Sequence, residues 1–512
     1  MPIESSNKTI AKNTLVLYIR MFITMVVSLF TSRIILQTLG VEDYGLYQSV
    51  GGIVGLMAFL NGALATGTSR FITYSLGKGD DKDLQVVFST TLTIHILLAI
   101  FIVILAETIG LWFLHHKLII PADRMSAAVY CYHLSILSAI LVITQVPYSA
   151  LIISHERMNV YAYASIVEVV LKLAIVYALY ITSFDKLKVY ATLFTLLSIG
   201  FMIFYRGYCI RHFKESHYRF VFNKNYIKEI GAFSGWSLLT NGVNALNAQG
   251  IILLLNMFFS PAIVAARAVS LQVNGAVMQF VNNFRTAINP QITKRLAAGN
   301  KQGSKELVIM SAKFSFFIVL VLAMPIIFTT ETLLRLWLGQ VPDYSVRFVQ
   351  LVLIESLFYV LNSCLYSPLF AAGKIKENAL VSTFVAFLSF VFTYIFLRFG
   401  YSPLTASYFA IAKSMIIGII VKPIMLVKIV DYKWCDFVNL FFSCFLVTIC
   451  ALPMPLIFYF LCYKITQYSV WMFLAMAFVA GLSVSCSVWF IGLTSEMKEQ
   501  VIRLFKSKFV KQ

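Results

Sequence analysis

Residues Ala11–Asp80 read AKNTLVLYIRMFITMVVSLFTSRIILQTLGVEDYGLYQSVGGIVGLMAFLNGALATGTSRFITYSLGKGD. Two long apolar segments, Asn13–Leu36 and Tyr44–Ala65, flank a short turn at Gly40-Val41-Glu42-Asp43. Each segment exceeds the roughly 20 residues a helix needs to cross about 30 Å of hydrocarbon. Arg20 nevertheless lies inside the first, and Arg70 lies at the inner end of the second. A guanidinium is costly in a bilayer and usually faces a wet cavity or a partner. The unit also recurs. A shift of 220 residues aligns Gly55 with Gly275, Thr66 with Thr286, Ile72 with Ile292, Thr73 with Thr293, Leu76 with Leu296 and Gly79 with Gly299. A helical unit used twice, with arginines inside its spans, points to a transporter.

Composition bounds the rest. Of the 512 residues, 60% are hydrophobic and only 12% charged, with a mean hydropathy of +0.83. Soluble domains are about 25% charged, so the chain belongs with polytopic α-helical membrane proteins. Its apolar runs are continuous rather than alternating, which excludes a closed barrel. The net charge of +19 sits in short loops between spans, which argues against a nucleic-acid partner. No cleavable leader is expected, because the first apolar run is full length and contains Arg20. Eight cysteines show no CxxC spacing, so structural disulfides and zinc are not expected, nor is any cofactor.

Fourteen spans are predicted, at about 13–36, 44–69, 84–114, 126–153, 158–181, 187–210, 228–257, 261–290, 303–330, 344–371, 376–398, 403–430, 437–461 and 468–494. Lysines and arginines in the loops divide 25 on one side against 8 on the other. The positive-inside rule then places both termini in the cytoplasm. The fold class expected is all-α, with two pseudo-symmetric six-helix lobes and two added C-terminal helices. The domains are 1–210, a basic cytoplasmic linker at 211–227, a second lobe at 228–430, and helices 13–14 with a basic tail at 431–512. That tail is amphipathic and suited to an anionic inner leaflet.

The charged residues within or near spans each have a structural explanation to weigh against a functional one. Arg33, Arg70 and Arg285 lie near span ends, where snorkelling to the interface is the plainer account. Glu168 and Lys172 stand four apart in the favourable Glu-before-Lys order, so a neutralised pair competes with proton coupling. His95 and His133 fit hydrogen-bonded core positions. Arg20 is deeper, and Arg267 resembles it within Ala265-Ala266-Arg267-Ala268, where small neighbours permit close helix approach. Cations inside spans (Arg20, Arg33, Arg70, Lys172, Arg267, Arg285, Lys313, Lys413) outnumber the carboxylates Glu107, Glu168 and Glu355. A cavity with that surplus attracts anions, and arginine's planar fork suits phosphate oxygens. The substrate-binding candidates are therefore Arg20, Arg267, Arg285, Lys313 and Arg70. Glu168, Lys172 and Glu355 are the candidates for coupling to H+ or Na+. No P-loop, HExxH or GxSxG motif occurs, so no enzyme is expected.

The motifs LGVEDYGLYQSV (Leu39–Val50), TSRFITYSLGKGD (Thr68–Asp80) and PYSALIISHERMN (Pro147–Asn159), with the fourteen spans, resemble the polysaccharide-transport flippases. These belong to the multidrug/oligosaccharidyl-lipid/polysaccharide exporter superfamily and include O-antigen repeat-unit translocases of lipopolysaccharide synthesis. The resemblance implies two six-helix lobes around a cationic cavity, working by alternating access in a bacterial inner membrane. The implied cargo is an undecaprenyl-diphosphate-linked oligosaccharide moved from the cytoplasmic to the periplasmic leaflet. Arg20 matches a position where relatives place cavity arginines, and Arg267 matches more loosely. The alternatives are a cation-coupled multidrug and toxin extruder of the same superfamily, and a membrane enzyme of polysaccharide assembly.

Overall fold

The computed structural model describes residues 3–57, 59–78, 81–220, 226–227, 238–297, 300–371, 375–463, 469–493 and 498–499, with side chains from Phe22 onward save at a few helix positions. The described residues contain no strand. Hydrocarbon offers no partner for backbone N–H and C=O groups, and a helix satisfies them within its own segment. Among the described residues, thirteen helices are long and apolar enough to cross a membrane. The chain is therefore an all-helical, multi-pass membrane protein. Helix hydroxyls are handled the same way, as Thr31, Thr144 and Thr329 donate to carbonyls one turn back at 2.7–2.9 Å.

The count of thirteen against fourteen predicted spans turns on one residue. Helix α1 (Ile3–Met57) breaks at Gly40, with φ 82° and ψ 170°. A side chain would be strained there, so glycine is what allows the break. The four-residue turn expected at Gly40–Asp43 is thus reduced to a single residue, and α1 carries the first span and the start of the second. The second arm is followed, after residue 58, by α2 (Phe59–Lys78).

Next come α3 (Asp81–Leu105, extended by Leu111–His116), α4 (Met125–Ser154), α5 (Met158–Ile181) and α6 (Lys186–His212). The remaining helices are α7 (Leu238–Phe258), α8 (Pro261–Ala297), α9 (Lys301–Leu338), α10 (Ser345–Leu365), α11 (Ile375–Arg398), α12 (Thr405–Val430), α13 (Trp434–Leu461) and α14 (Val470–Gly492). Helix starts keep the 220-residue offset. Asp81 opens α3 and Lys301 opens α9; Met125 opens α4 and Ser345 opens α10. Likewise α8 opens at Pro261, 220 residues after Val41, the residue following the Gly40 break.

The chain divides into two compact units, Met1–Ala265 and Ala266–Gln512. In the first, α4 packs on α1, α2, α3 and α6, and α7 packs on α1. The contact between α1 and the start of α8 is the tightest approach. A Cβ on Gly45 would lie 1.8 Å from the Pro261 carbonyl oxygen, so only glycine fits. Such small-residue contacts are how helices associate where lipid removes the hydrophobic drive.

The basic segment after α6 is fastened to the same unit. Arg219 N–H donates to Ser89 Oγ at 3.2 Å, Gln85 Nε2 to the His217 carbonyl at 3.0 Å, and His155 pairs with Glu215 at 2.6 Å. In the second unit α9 packs on α10, α13 and α14, and α10 and α11 pack on α12. Asn300 caps α9 by accepting from Gly303 N–H at 2.8 Å. Helices α13 and α14 are joined by Ser483 Oγ donating to the Ala451 carbonyl at 2.8 Å. The tail at 500–512 lies outside the described residues.

Candidate transport site

Helices α8, α10 and α12 bring a charged cluster together inside the second unit. Arg267, on the second turn of α8, is 5% exposed. It donates to Ser407 Oγ at 3.2 Å and lies 5.8 Å from the Phe348 ring centre. Glu355 on α10 is the carboxylate whose charge acts on it. Glu355 accepts from Ser414 Oγ at 3.2 Å and pairs with Lys413 Nζ at 3.6 Å. Lys413 is thus paired with the carboxylate and Arg267 lies within reach of its charge, in a region where an uncompensated charge would cost several kcal/mol. The cluster keeps a net positive charge and places a carboxylate within it. Both features suit an exchange of ions or anionic groups.

The other predicted residues are dispersed. Arg285 donates to both the hydroxyl and the carbonyl of Ser363, the latter at 2.7 Å, tying α8 to α10. Lys313 donates to the Gly492 carbonyl at 3.1 Å, so it fastens α9 to the last turn of α14. Arg70 is exposed on α2. Glu168 and Lys172 form their ion pair at 2.7 Å, with Lys172 also 5.2 Å from the Phe194 ring centre. The side chain of Arg20 lies outside the described residues, although its backbone is part of α1.

The first unit has a pocket at matching positions. It measures about 160 Å³ and is lined by Tyr47, Ser135, Ser138, Phe194 and Thr195, among others. Adding 220 converts Tyr47 to Arg267, Ser135 to Glu355 and Phe194 to Ser414. The same positions therefore carry neutral hydroxyl and aromatic groups in one unit and the charged cluster in the other. Ser138 and Thr195 share a hydrogen bond at 3.0 Å, and Ser135 donates to the Cys131 carbonyl at 2.8 Å. The 220-residue offset was visible in the sequence and, applied to Glu355, would have pointed to this pocket.

One polar cluster is not among the predicted site residues. Arg124, at the start of α4, reaches Asp43 beside the Gly40 break (Nε to Oδ1, 2.9 Å) and Asp185 before α6 (Nη1 to Oδ2, 2.8 Å). Asp185 also caps α6 by accepting from Leu187 and Lys188 N–H at 3.0 and 3.2 Å. Burial pushes the Asp185 carboxyl up, but the Arg124 hydrogen bond and the cap outweigh it and hold it below the ordinary carboxylate range. Three chain segments distant in sequence are clasped by this one guanidinium.

The MatE family model matches residues 239–395. No curated protein sequence matches the chain. Among solved structures, an inward-facing multidrug resistance MATE family transporter of the MOP superfamily shares 14% identity, with a TM-score of 0.64 over 82% of this chain and 98% of that one. The lipid II flippase MurJ in an inward closed conformation shares 13%, with a TM-score of 0.63 over 92% and 97%. A MOP superfamily transporter from Pyrococcus furiosus, whose description reports a reversed polarity of the binding pocket, shares 18%, with a TM-score of 0.59 over 82% and 97%. The chain has the fold of MOP superfamily transporters, with a MatE region in its middle.

Proposed function

We propose that this chain is an alternating-access transporter that flips an undecaprenyl-diphosphate-linked oligosaccharide from the cytoplasmic to the periplasmic leaflet, serving surface polysaccharide assembly. The observation that carries the reading is the pair α13 and α14, outside the two 220-offset sets and fastened to α9 through Lys313. The likeness to the lipid II flippase extends over 92% of this chain, against 82% for the MATE transporter. A diphosphate and sugars cannot cross hydrocarbon unaided, whereas a polyprenyl tail need never leave it. In this reading Arg20 and Arg267 engage the diphosphate, with Arg285, Lys313 and Arg70 as weaker contributors. The placement is the bacterial inner membrane with both termini cytoplasmic.

A second reading has its own support. The MatE match over 239–395 favours cation-coupled multidrug extrusion, with Glu355 as the coupling carboxylate. Expression in one strain lacking its O-antigen flippase and in another lacking its drug exporters separates the two. Restored surface polysaccharide with unchanged drug tolerance supports the flippase. Raised drug tolerance without restored polysaccharide overturns it.

A further inference from the structure

Helices α5 and α6 leave a groove of about 700 Å³ along the surface of the first unit, running from Val160 to Leu171 on one wall and from Leu196 to Tyr208 on the other. Every lining group is apolar or aromatic. Tyr163 is 66% exposed at its rim and Phe204 44%. Gly200 forms part of the lining, and a Cβ added there would meet nothing within 4 Å. The groove therefore has an empty floor where other helix faces have side chains. Neither the substrate reading nor the charged cluster makes use of it.

Its length is informative. The eleven steps from Val160 to Leu171 rise about 16 Å at 1.5 Å each. One leaflet of a bilayer core is about 15 Å deep, half of about 30 Å. The groove thus spans a single leaflet, the depth of one acyl chain. Its two ends differ in charge. A short connection, 182–185, joins α5 to α6, so Val160 and Tyr208 lie at the same end. That end carries Arg157, at the N-cap of α5, and Arg211 with His212 in the last turn of α6, all exposed. The carboxylates nearby are Glu215, already paired with His155, and exposed Glu156. Cations at headgroup level above an apolar cleft between helices select an anionic lipid headgroup.

We propose that this groove is a binding site for one anionic phospholipid, its acyl chain laid between α5 and α6 and its phosphate held by Arg157 and Arg211. The lipid is a structural or regulatory ligand and not the cargo, since the groove is formed by two helices of one unit. Full-length protein is examined by native mass spectrometry in detergent, with phosphatidylglycerol or phosphatidylcholine of identical chains added in turn. Wild type should retain phosphatidylglycerol preferentially, by about fivefold for each arginine engaged. Gly200→Phe fills the floor and should abolish retention of both lipids. Arg157→Gln with Arg211→Gln should leave phosphatidylcholine retention unchanged and remove the preference. Equal retention of both lipids by wild type overturns the proposal, as does retention that Gly200→Phe leaves intact. A dimer that Gly200→Phe dissociates would assign the groove to a second copy and overturn it equally. Circular dichroism of each variant confirms that a loss of lipid is not a loss of fold.

Discussion

Arg267 shows what a buried guanidinium requires. With Ser407, the Phe348 ring and the charge of Glu355 around it, it is an organised part of its unit and not a snorkelling residue. Arg267→Gln should reduce transport about ten- to a hundredfold at unchanged abundance, with lysine restoring part of it, because charge persists but the fork is lost. Flux normalised to protein in the membrane checks this, and equal flux in wild type and Arg267→Gln would remove the residue from the cargo site.

The partner carboxylate makes a sharper test. Glu355→Gln strands Arg267 and Lys413 together and should destabilise the protein by about 3–5 kcal/mol. Adding Lys413→Met to Glu355→Gln should recover about half of that, read from thermal unfolding in detergent. Sequence spacing revealed Glu168 with Lys172 because four residues make one turn. Glu355 and Lys413 stand 58 residues apart on different helices, and no local pattern could pair them.

At the scale of elements, the Arg124 clasp ties the Gly40 break to the starts of α4 and α6. Asp185 has its carboxyl held below the ordinary range, so its contribution is complete above the unfolded value and is lost as pH falls through the lower folded value. Asp185→Asn should lower stability by about 1–2 kcal/mol at neutral pH, since the charge-assisted bond to Arg124 is lost while the amide oxygen can still cap α6. It should also flatten the acid limb of the unfolding temperature between about pH 5 and the depressed folded value. An acid limb identical to wild type would show that another carboxylate governs it. The spans themselves were legible from hydropathy, since helices in lipid must be long and apolar. The sequence reading puts a four-residue turn, Gly40–Asp43, where the helix breaks at Gly40 alone. Asp43 is in fact drawn to Arg124, and the helix resumes at once.

For the whole molecule, the topology proposed from the loop charges has both termini cytoplasmic. In a cysteine-free background, Gln512→Cys should resist an impermeant maleimide in intact spheroplasts and react after permeabilisation. Labelling in intact cells would invert the topology. The duplicated architecture was legible because the second copy keeps its register without gaps. The divergence of the copies was not, since a polar residue's partners depend on which helices surround it. The positions of Tyr47, Ser135 and Phe194 became charged or polar in the other unit, so the offset alone could align them without revealing what they hold.

Gly45 meeting Pro261 has a consequence for synthesis. The two residues are 216 positions apart, 261 less 45, and their approach leaves no space for a side chain. A ribosome adding about 5–20 residues per second needs roughly 10–40 s to supply the second after the first. Through that interval the glycine-lined face of α1 is already inserted while its partner does not yet exist. The first unit is thus assembled late in translation, with α1 to α6 waiting for α7 and the start of α8. A nascent chain halted near residue 230 should expose that face to crosslinking by the insertion machinery, and one halted beyond residue 300 should have closed it.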